Sequence, residues 1–219
     1  MKLTANAISW IFQPLLMLTY MLILLLLVNP YLFGVNGVND SRILILQVFI
    51  TTFLLPGFAI FMMWRLKLIK TVEMRDKQDR TGPFIATGVF YLWTFRSALA
   101  DSNIPTAFLI AILGATLGLF ACFFVNIFFK ISLHATGVGG FLGMVLITMW
   151  LYSYGSFTVN LPIVGSSEIS INLVLMLSLL MTGLVGTARL ILHAHSPKEI
   201  YTGFAMGLLC QLIALKTLV

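Results

Sequence analysis

The chain has 219 residues, of which 60% are hydrophobic and only 9% are charged. Since a soluble domain carries roughly 25% charged residues, this composition excludes an ordinary water-soluble globular protein. The mean hydropathy of +1.04 likewise excludes a disordered chain. Two cysteines, Cys122 and Cys210, lie in apolar runs without Cys-x-x-Cys spacing, which predicts buried thiols rather than a metal cluster or a redox pair.

Seven apolar runs approach the length of about 20 residues that an α-helix needs to span a membrane. The third run is short and contains Arg96, so a tilted or partly interfacial helix is expected there. The sequence predicts an all-α fold, a polytopic membrane bundle of six or seven transmembrane helices, with residues 1–219 in a single domain. The runs cover residues 8–33, 43–64, 83–100, 104–129, 135–154, 169–192 and 200–215.

The net charge of +6 is concentrated on one side of the predicted bundle. If the spans alternate in direction, the N-terminus and residues 65–82, 130–134 and 193–199 share one face, here called face A. Of the 13 basic residues, ten lie on face A, and the positive-inside rule therefore predicts that this face is cytoplasmic. The ten are Lys2, Arg65, Lys67, Lys70, Arg75, Lys77, Arg80, Lys130, Arg189 and Lys198.

Ionisable residues cluster before the last predicted span. His195 precedes Glu199 by four residues, so the carboxylate can accept a hydrogen bond from one imidazole nitrogen and leave the other as a base or nucleophile. Arg189, at the end of the preceding span, can reach the same point with its fork of donors. Ser196 and Pro197 also fit a helix start with Glu199 in a capping box, which gives Glu199 an alternative structural role.

A second polar cluster, Lys130, Ser132 and His134, precedes the fifth span. Free backbone N–H groups and the positive end of a helix favour a phosphate there. Alternatively, Ser132 is an ordinary cap, Lys130 reaches the interface and His134 is interfacial. The glycine cluster that follows predicts close helix packing. Its members are Gly137, Gly139, Gly140 and Gly143.

The spacing Arg189-x5-His195-x3-Glu199 resembles the third signature of the type 2 phosphatidic acid phosphatase family, Ser-Arg-x5-His-x3-Asp. This family contains membrane lipid phosphatases related to vanadium haloperoxidases. Ser132-Leu133-His134 resembles its second signature, Pro-Ser-Gly-His, in the family's order along the chain. The resemblance covers residues 75–207 and leaves two additional N-terminal spans outside it. The departures are Ala188 for serine, Glu199 for aspartate, Ile131 for proline and Leu133 for glycine.

The first family signature, Lys-x6-Arg-Pro, is not present as such. Arg75, Lys77 and Arg80 lie in the corresponding segment, and two residues separate Arg80 from Pro83. The resemblance therefore leaves open which of these basic residues would contact phosphate.

The resemblance implies a lipid phosphatase that needs no metal or other cofactor. His195 would attack phosphorus and form a phosphohistidine, Glu199 would orient it, and His134 would protonate the leaving oxygen and later activate water. The expected substrate is a lipid phosphomonoester or diphosphate of the phosphatidate, phosphatidylglycerophosphate or isoprenyl class, in a bacterial inner membrane and with no nucleic-acid partner. The expected phosphate-binding residues are Arg189, Ser132, Arg80, Lys77 and Lys130.

Other functions are compatible with parts of the sequence. A relative without turnover that binds a phosphorylated lipid fits the altered signatures. A prenyl or phosphatidyl transferase could use Glu73, Asp76 and Asp79 to hold Mg²⁺. The basic residues interleaved with these three favour a self-paired segment instead, and a second acidic cluster is missing. A channel or transporter is the least favoured, since no internal repeat is evident.

Overall fold

The computed structural model describes residues 1–72, 74, 76, 78–161 and 165–219 and has the predicted all-α membrane bundle architecture. Most of the described residues are helical, and they include one short hairpin. The helices are α1 (Lys2–Ile11), α2 (Met17–Val28), α3 (Arg42–Phe49), α4 (Leu55–Arg65), α5 (Thr81–Ala100), α6 (Thr106–Phe128), α7 (Leu133–Leu151), α8 (Ile171–Ile191) and α9 (Pro197–Leu218), and the strands are β1 (Ser156–Leu161) and β2 (Gly165–Ser170).

Among the described residues, six helical segments are long and apolar enough to cross a membrane. The 20-residue helix α5, which corresponds to the short third run, is not among them within the described part of the chain. The bundle also exposes large apolar side chains on its outside: Phe124 is 63% and Met176 66% exposed. Such a surface is unfavourable in water but suits hydrocarbon, so the protein is an integral membrane protein. The six segments are Lys2–Val28, Pro30–Arg65, Thr106–Phe128, Leu133–Leu151, Ile171–Ile191 and Pro197–Leu218.

The first predicted span, residues 8–33, is not one continuous helix. α1 ends at Ile11, the backbone of Gln13 is extended, and Pro14 starts a short 3-10 turn before α2. Proline cannot donate the helical hydrogen bond, and its ring disfavours a helical conformation in the residue before it, so the chain bends here. The bend lets α1 pack against α8 near the ends of other helices.

An antiparallel hairpin of β1 and β2 lies between the fifth and sixth predicted runs and extends two residues into the sixth. Ser156 pairs with Ser170, and the register continues to Leu161 opposite Gly165. Because residues 169 and 170 belong to β2, α8 begins at Ile171, two residues later than the start of the predicted span. The hairpin lies at the end of the bundle away from the histidine clusters.

Helices α7 and α9 pack very closely, as the glycine cluster predicts. A Cβ added at Gly139 would lie 2.5 Å from the backbone oxygen of Phe204, and one added at Gly203 would lie 2.8 Å from the backbone oxygen of Ser132. Glycine is therefore needed at both positions for this helix separation. The close packing brings the N-terminal ends of α7 and α9 side by side, where both predicted polar clusters lie.

Candidate active site

Two serine caps organise the junction of α7 and α9. Ser132 Oγ accepts a hydrogen bond from the Ala135 backbone N–H at 3.3 Å, and Ser196 Oγ accepts one from the Glu199 backbone N–H at 3.4 Å. These side chains satisfy N–H groups that have no partner within the first helical turn. The Ser132 N–H also donates to the Glu199 backbone oxygen at 3.4 Å, which joins the two helix starts directly.

His195 and Glu199 form the central polar pair. His195 Nδ1–H donates to Glu199 Oε2 at 2.6 Å, and the side chain of His195 is only 4% exposed. Glu199 Oε2 therefore orients the imidazole, as the four-residue spacing predicts. With the proton on Nδ1, neutral His195 carries its lone pair on Nε2. This is the tautomer that a nucleophilic histidine requires.

Three cations lie near enough to His195 to affect the pKa of its imidazole. Burial lowers the pKa of the His195 imidazole, and the hydrogen bond to Glu199 opposes this shift. The positive charges of Arg80, Arg189 and Lys130 lower the same pKa further. At neutral pH the imidazole is therefore uncharged and nucleophilic, and its surroundings favour a negatively charged ligand.

Arg80 and Lys130 are held by backbone carbonyl groups. Arg80 is 6% exposed, and it donates from Nε to Met74 O at 2.9 Å and from Nη1 to Ile131 O at 3.0 Å. Lys130 Nζ donates to Ala194 O, next to His195, at 2.9 Å. These contacts tie the start of α5 and the α8–α9 turn to the segment before α7, so the cationic site is preorganised.

Helix α1 completes the site through Ser9. His134 Nε2 lies 3.1 Å from Ser9 O, and because a carbonyl can only accept, His134 is the donor. Ser9 Oγ accepts from Arg189 Nη1 at 3.4 Å. Residues 75–207 therefore do not contain the whole site, and the sequence reasoning missed Ser9. The sequence does indicate this contact through a polar stripe at helical spacing along α1. All four residues of the stripe line the same cavity: Lys2, Asn6, Ser9 and Gln13.

The site opens into a cavity of about 840 Å³. Its polar end is lined by the cationic and histidine side chains, while its deeper walls are apolar and come from α2, α5, α6 and α7. The cavity thus joins a binding site for an anionic group to space suitable for hydrocarbon. These cationic and histidine side chains include Arg80, Lys130, His134, Arg189, His193 and His195.

Some predicted site residues lie elsewhere. Ser132 is fully buried, and among the described residues neither it nor Glu199 lines the cavity. The contacts of Ser132 are those of a cap, which favours its structural interpretation. Lys77 lies outside the described residues, so its phosphate contact stays a prediction. His193 is exposed in the turn after α8, with a φ of 50° in the left-handed region, and it also lines the cavity.

The acidic residues proposed for Mg²⁺ form a different arrangement where they can be described. Asp76 pairs with Lys70 at 2.8 Å, and Asp79 Oδ2 accepts from the Lys70 backbone N–H at 3.3 Å. Glu73 lies outside the described residues. Within the described part of the chain, no group of three or more His, Cys, Asp or Glu side chains is placed to hold a metal ion. The contacts favour the self-paired interpretation of this segment.

The chain matches no known protein family model, no curated protein and no solved structure. The resemblance to the type 2 phosphatidic acid phosphatases therefore depends on the residues of the two motifs. The geometry around His195 is an observation that does not depend on that resemblance.

Proposed function

We propose that the protein is a membrane lipid phosphatase that works without a metal ion through a phosphohistidine on His195. The observation that carries this proposal is the buried His195–Glu199 pair, surrounded by cations at the polar end of an apolar cavity. A carboxylate-oriented histidine supplies the nucleophile, and fixed cations stabilise the charge that develops on phosphate oxygens.

The proposed reaction has two steps. The His195 Nε2 lone pair attacks phosphorus, the N–P bond forms, and the bond from phosphorus to the lipid oxygen breaks. His134, protonated on both nitrogens when the phosphate is bound, gives its Nε2 proton to that oxygen and becomes neutral. In the second step His134 takes a proton from water, the resulting hydroxide attacks phosphorus, and the N–P bond breaks to release inorganic phosphate and neutral His195.

The residues have distinct roles in this scheme. Glu199 stabilises the positive charge that His195 acquires when it bonds to phosphorus. Arg80, Arg189 and Lys130 hold the non-bridging oxygens, where the negative charge is greatest. For His134 to act as the acid, its proton must turn from Ser9 O to the leaving oxygen, so α1 must shift or His134 must rotate during turnover.

A lipid is the favoured substrate class because of where the site lies. The cations sit at helix ends, where a phosphate head group resides, and the cavity leads from them toward the apolar interior of the bundle. A small water-soluble phosphate would leave the apolar part of this space unused.

A second candidate function, binding of a phosphorylated lipid without turnover, is favoured by the contacts of Ser132. Its hydroxyl caps α7 and its N–H donates to Glu199 O, so neither points to the cavity. The site would then have fewer hydrogen-bond donors to stabilise the transition state of phosphate transfer than the resemblance implies. The cations would still attract a phosphate.

The experiment measures phosphate release by the purified full chain in lipid nanodiscs, with phosphatidate, phosphatidylglycerophosphate and isoprenyl diphosphate as separate substrates and with EDTA present. We expect release that EDTA does not abolish, and loss of it in His195→Ala. The control is Lys198→Ala, at an exposed position three residues from His195 that does not line the cavity. Brief acid-free quenching with a labelled substrate should trap the phosphohistidine on the control but not on His195→Ala.

Unchanged activity in His195→Ala would overturn the catalytic assignment. Binding of these lipids without any phosphate release would favour the second candidate. Strict dependence on Mg²⁺ would instead revive the transferase interpretation.

A further inference from the structure

Two hydroxyl groups interrupt the apolar deeper wall of the cavity. Thr87 and Tyr91 of α5 both line it, although they are only 3% and 5% exposed. They are four residues apart on one helix, so their side chains lie on the same face, one turn from each other. Much of the remaining wall is apolar and includes Leu18, Met21 and Met144. The two residues therefore form a polar patch inside an apolar space.

Neither hydroxyl takes part in the hydrogen bonds that hold the bundle together. Within the described part of the chain, the hydroxyls of Thr87 and Tyr91 make no hydrogen bond. Thr94, which is buried on the same helix, instead donates to Phe90 O at 2.8 Å, as threonines in helices commonly do. A buried hydroxyl without a partner is unfavourable, so a ligand that supplies one is stabilised.

The two hydroxyls are also open to the cavity. Gln211 provides a contrast, because its Oε1 atom is enclosed against Gly114 and has no hydrogen-bond partner among the described residues. The hydroxyls of Thr87 and Tyr91 are not enclosed in this way, and both side chains line the cavity. A ligand that occupies the cavity can therefore reach both hydroxyls.

The patch lies deeper in the cavity than the cationic site. Arg80 lines the polar end of the cavity and directly precedes the first residue of α5. At 1.5 Å per residue, Thr87 lies about 10 Å and Tyr91 about 16 Å further along the helix than Arg80. A lipid whose phosphate is held by Arg80 would therefore meet the two hydroxyls with the middle of its chain, not with the atoms beside the phosphate.

The chemistry of the patch selects a neutral hydrogen-bonding group. Threonine and tyrosine hydroxyls can each donate and accept a hydrogen bond, so they suit a hydroxyl, a carbonyl or an amide. A plain hydrocarbon chain would leave both hydroxyls without a partner, and it would keep the cost of their burial. The patch therefore favours a chain that carries such a group over one that does not.

We propose that Thr87 and Tyr91 form a second subsite, which recognises a hydroxyl, carbonyl or amide group within the chain of the bound lipid phosphate. The inference rests on the proposed function for the phosphate end of the ligand, and it narrows the substrate class. The favoured substrate carries an oxygen or nitrogen atom in its chain about 10 to 16 Å from the phosphate site, whereas a plain acyl or isoprenyl chain is disfavoured.

The test measures binding of phosphonates that cannot be hydrolysed, so that recognition is separated from turnover. Three alkyl phosphonates of equal chain length are compared on the full chain in nanodiscs at equal surface concentration. The first has a hydroxyl in the middle of its chain, the second has a hydroxyl beside the phosphonate, and the third has none. We expect the first to bind at least about fivefold more tightly than the other two, which corresponds to one additional hydrogen bond.

Matched variants remove the hydroxyls with little change in shape. Thr87→Val and Tyr91→Phe should each weaken the preference, and the double variant should reduce it to less than about twofold. The controls are Thr94→Val and Tyr201→Phe, because the Thr94 hydroxyl donates to Phe90 O, Tyr201 is exposed, and neither residue lines the cavity. Both controls should keep the preference. Thermal unfolding confirms that each variant is folded before its binding is compared.

Equal binding of the three phosphonates by the wild type would overturn the inference and indicate that the hydroxyls are only hydrated. A preference that persists in the folded double variant would overturn it as well. If the mid-chain hydroxyl is preferred but no lipid phosphate with or without such a group is hydrolysed, the subsite stands and the proposed phosphatase activity fails. If lipid phosphates are hydrolysed but the three phosphonates bind equally, the activity stands and this inference fails.

Discussion

Replacing Glu199 by glutamine tests the central pair of the site with almost no change in shape. The carboxylate accepts the Nδ1 proton of His195 at 2.6 Å, and glutamine can still accept it through a neutral oxygen. What the variant removes is the negative charge beside the imidazole. That charge matters most when His195 bonds to phosphorus and becomes positive, so the substitution should act mainly on turnover.

The expected magnitude follows from the change of a charged hydrogen-bond acceptor into a neutral one. A hydrogen bond to a charged group contributes about 1.5–3 kcal/mol and a neutral one about 0.5–1.5 kcal/mol, so the fold should lose about 1 kcal/mol of stability. Positioned acid–base groups contribute about 10²–10⁴ in rate. We expect phosphate release by Glu199→Gln to fall at least ~100-fold, equivalent to about 2.7 kcal/mol of barrier, with little change in KM.

The assay compares phosphate release and thermal unfolding for Glu199→Gln and Glu168→Gln. Glu168 is an exposed glutamate of the β hairpin whose side chain accepts from Ser156 Oγ, so its substitution is a matched control for the removal of one carboxylate. Activity of Glu199→Gln within twofold of the wild type, in folded protein, would refute the assignment of Glu199 as the group that supports a charged His195.

Two further predictions concern stability. Burial lowers the pKa of His195 in the folded protein, so the unfolded chain binds a proton there first as the pH falls below about 6.5. The contribution of His195 to the free energy of unfolding is therefore complete above that pH. Below it, the free energy of unfolding should decrease by up to about 1.4 kcal/mol per pH unit. Thermal unfolding between pH 7.5 and 5 should show a steeper decrease for the wild type than for His195→Gln, and parallel curves would contradict this. Gly203→Ala places a Cβ 2.8 Å from Ser132 O and should cost about 1–3 kcal/mol, whereas Gly183→Ala on α8, with nothing within 4 Å, should be neutral or stabilise by up to about 1 kcal/mol. Equal shifts in Tm for the two alanine variants would show that the α7–α9 contact is not as close as described.

The architecture could be predicted because hydrocarbon imposes a local rule. Backbone groups in a membrane must be hydrogen-bonded within the segment, so an apolar run of sufficient length becomes a helix wherever it packs. The His195–Glu199 pair was predictable for a related reason, since both residues lie within one turn of a helix start that Ser196 and Pro197 define. These features depend on residues at most a few positions apart.

Contacts between distant segments were not predictable in the same way. Arg80 is joined to Ile131 across 51 positions and His134 to Ser9 across 125 positions, and both contacts require particular helix faces to meet. In a membrane bundle most faces are apolar, and interchangeable leucine, phenylalanine and methionine side chains do not specify which faces pair. Pro14 indicates a break in the helix, and this break allows α1 to reach the site. The proline alone does not indicate which helix α1 packs against.

The sequence by itself determined that this is a helical membrane protein and that a carboxylate follows a histidine by four residues at a helix start, because those properties follow from composition and from spacing within a single turn. Only the tertiary structure decided that Arg80, Arg189 and Lys130 act together on that histidine, that α1 contributes Ser9 to the same site, and that a cavity opens behind it. The physical reason is that the cavity and the meeting of distant side chains depend on how several helices pack together. Glycine contacts set the distances between those helices, and no single segment determines the packing.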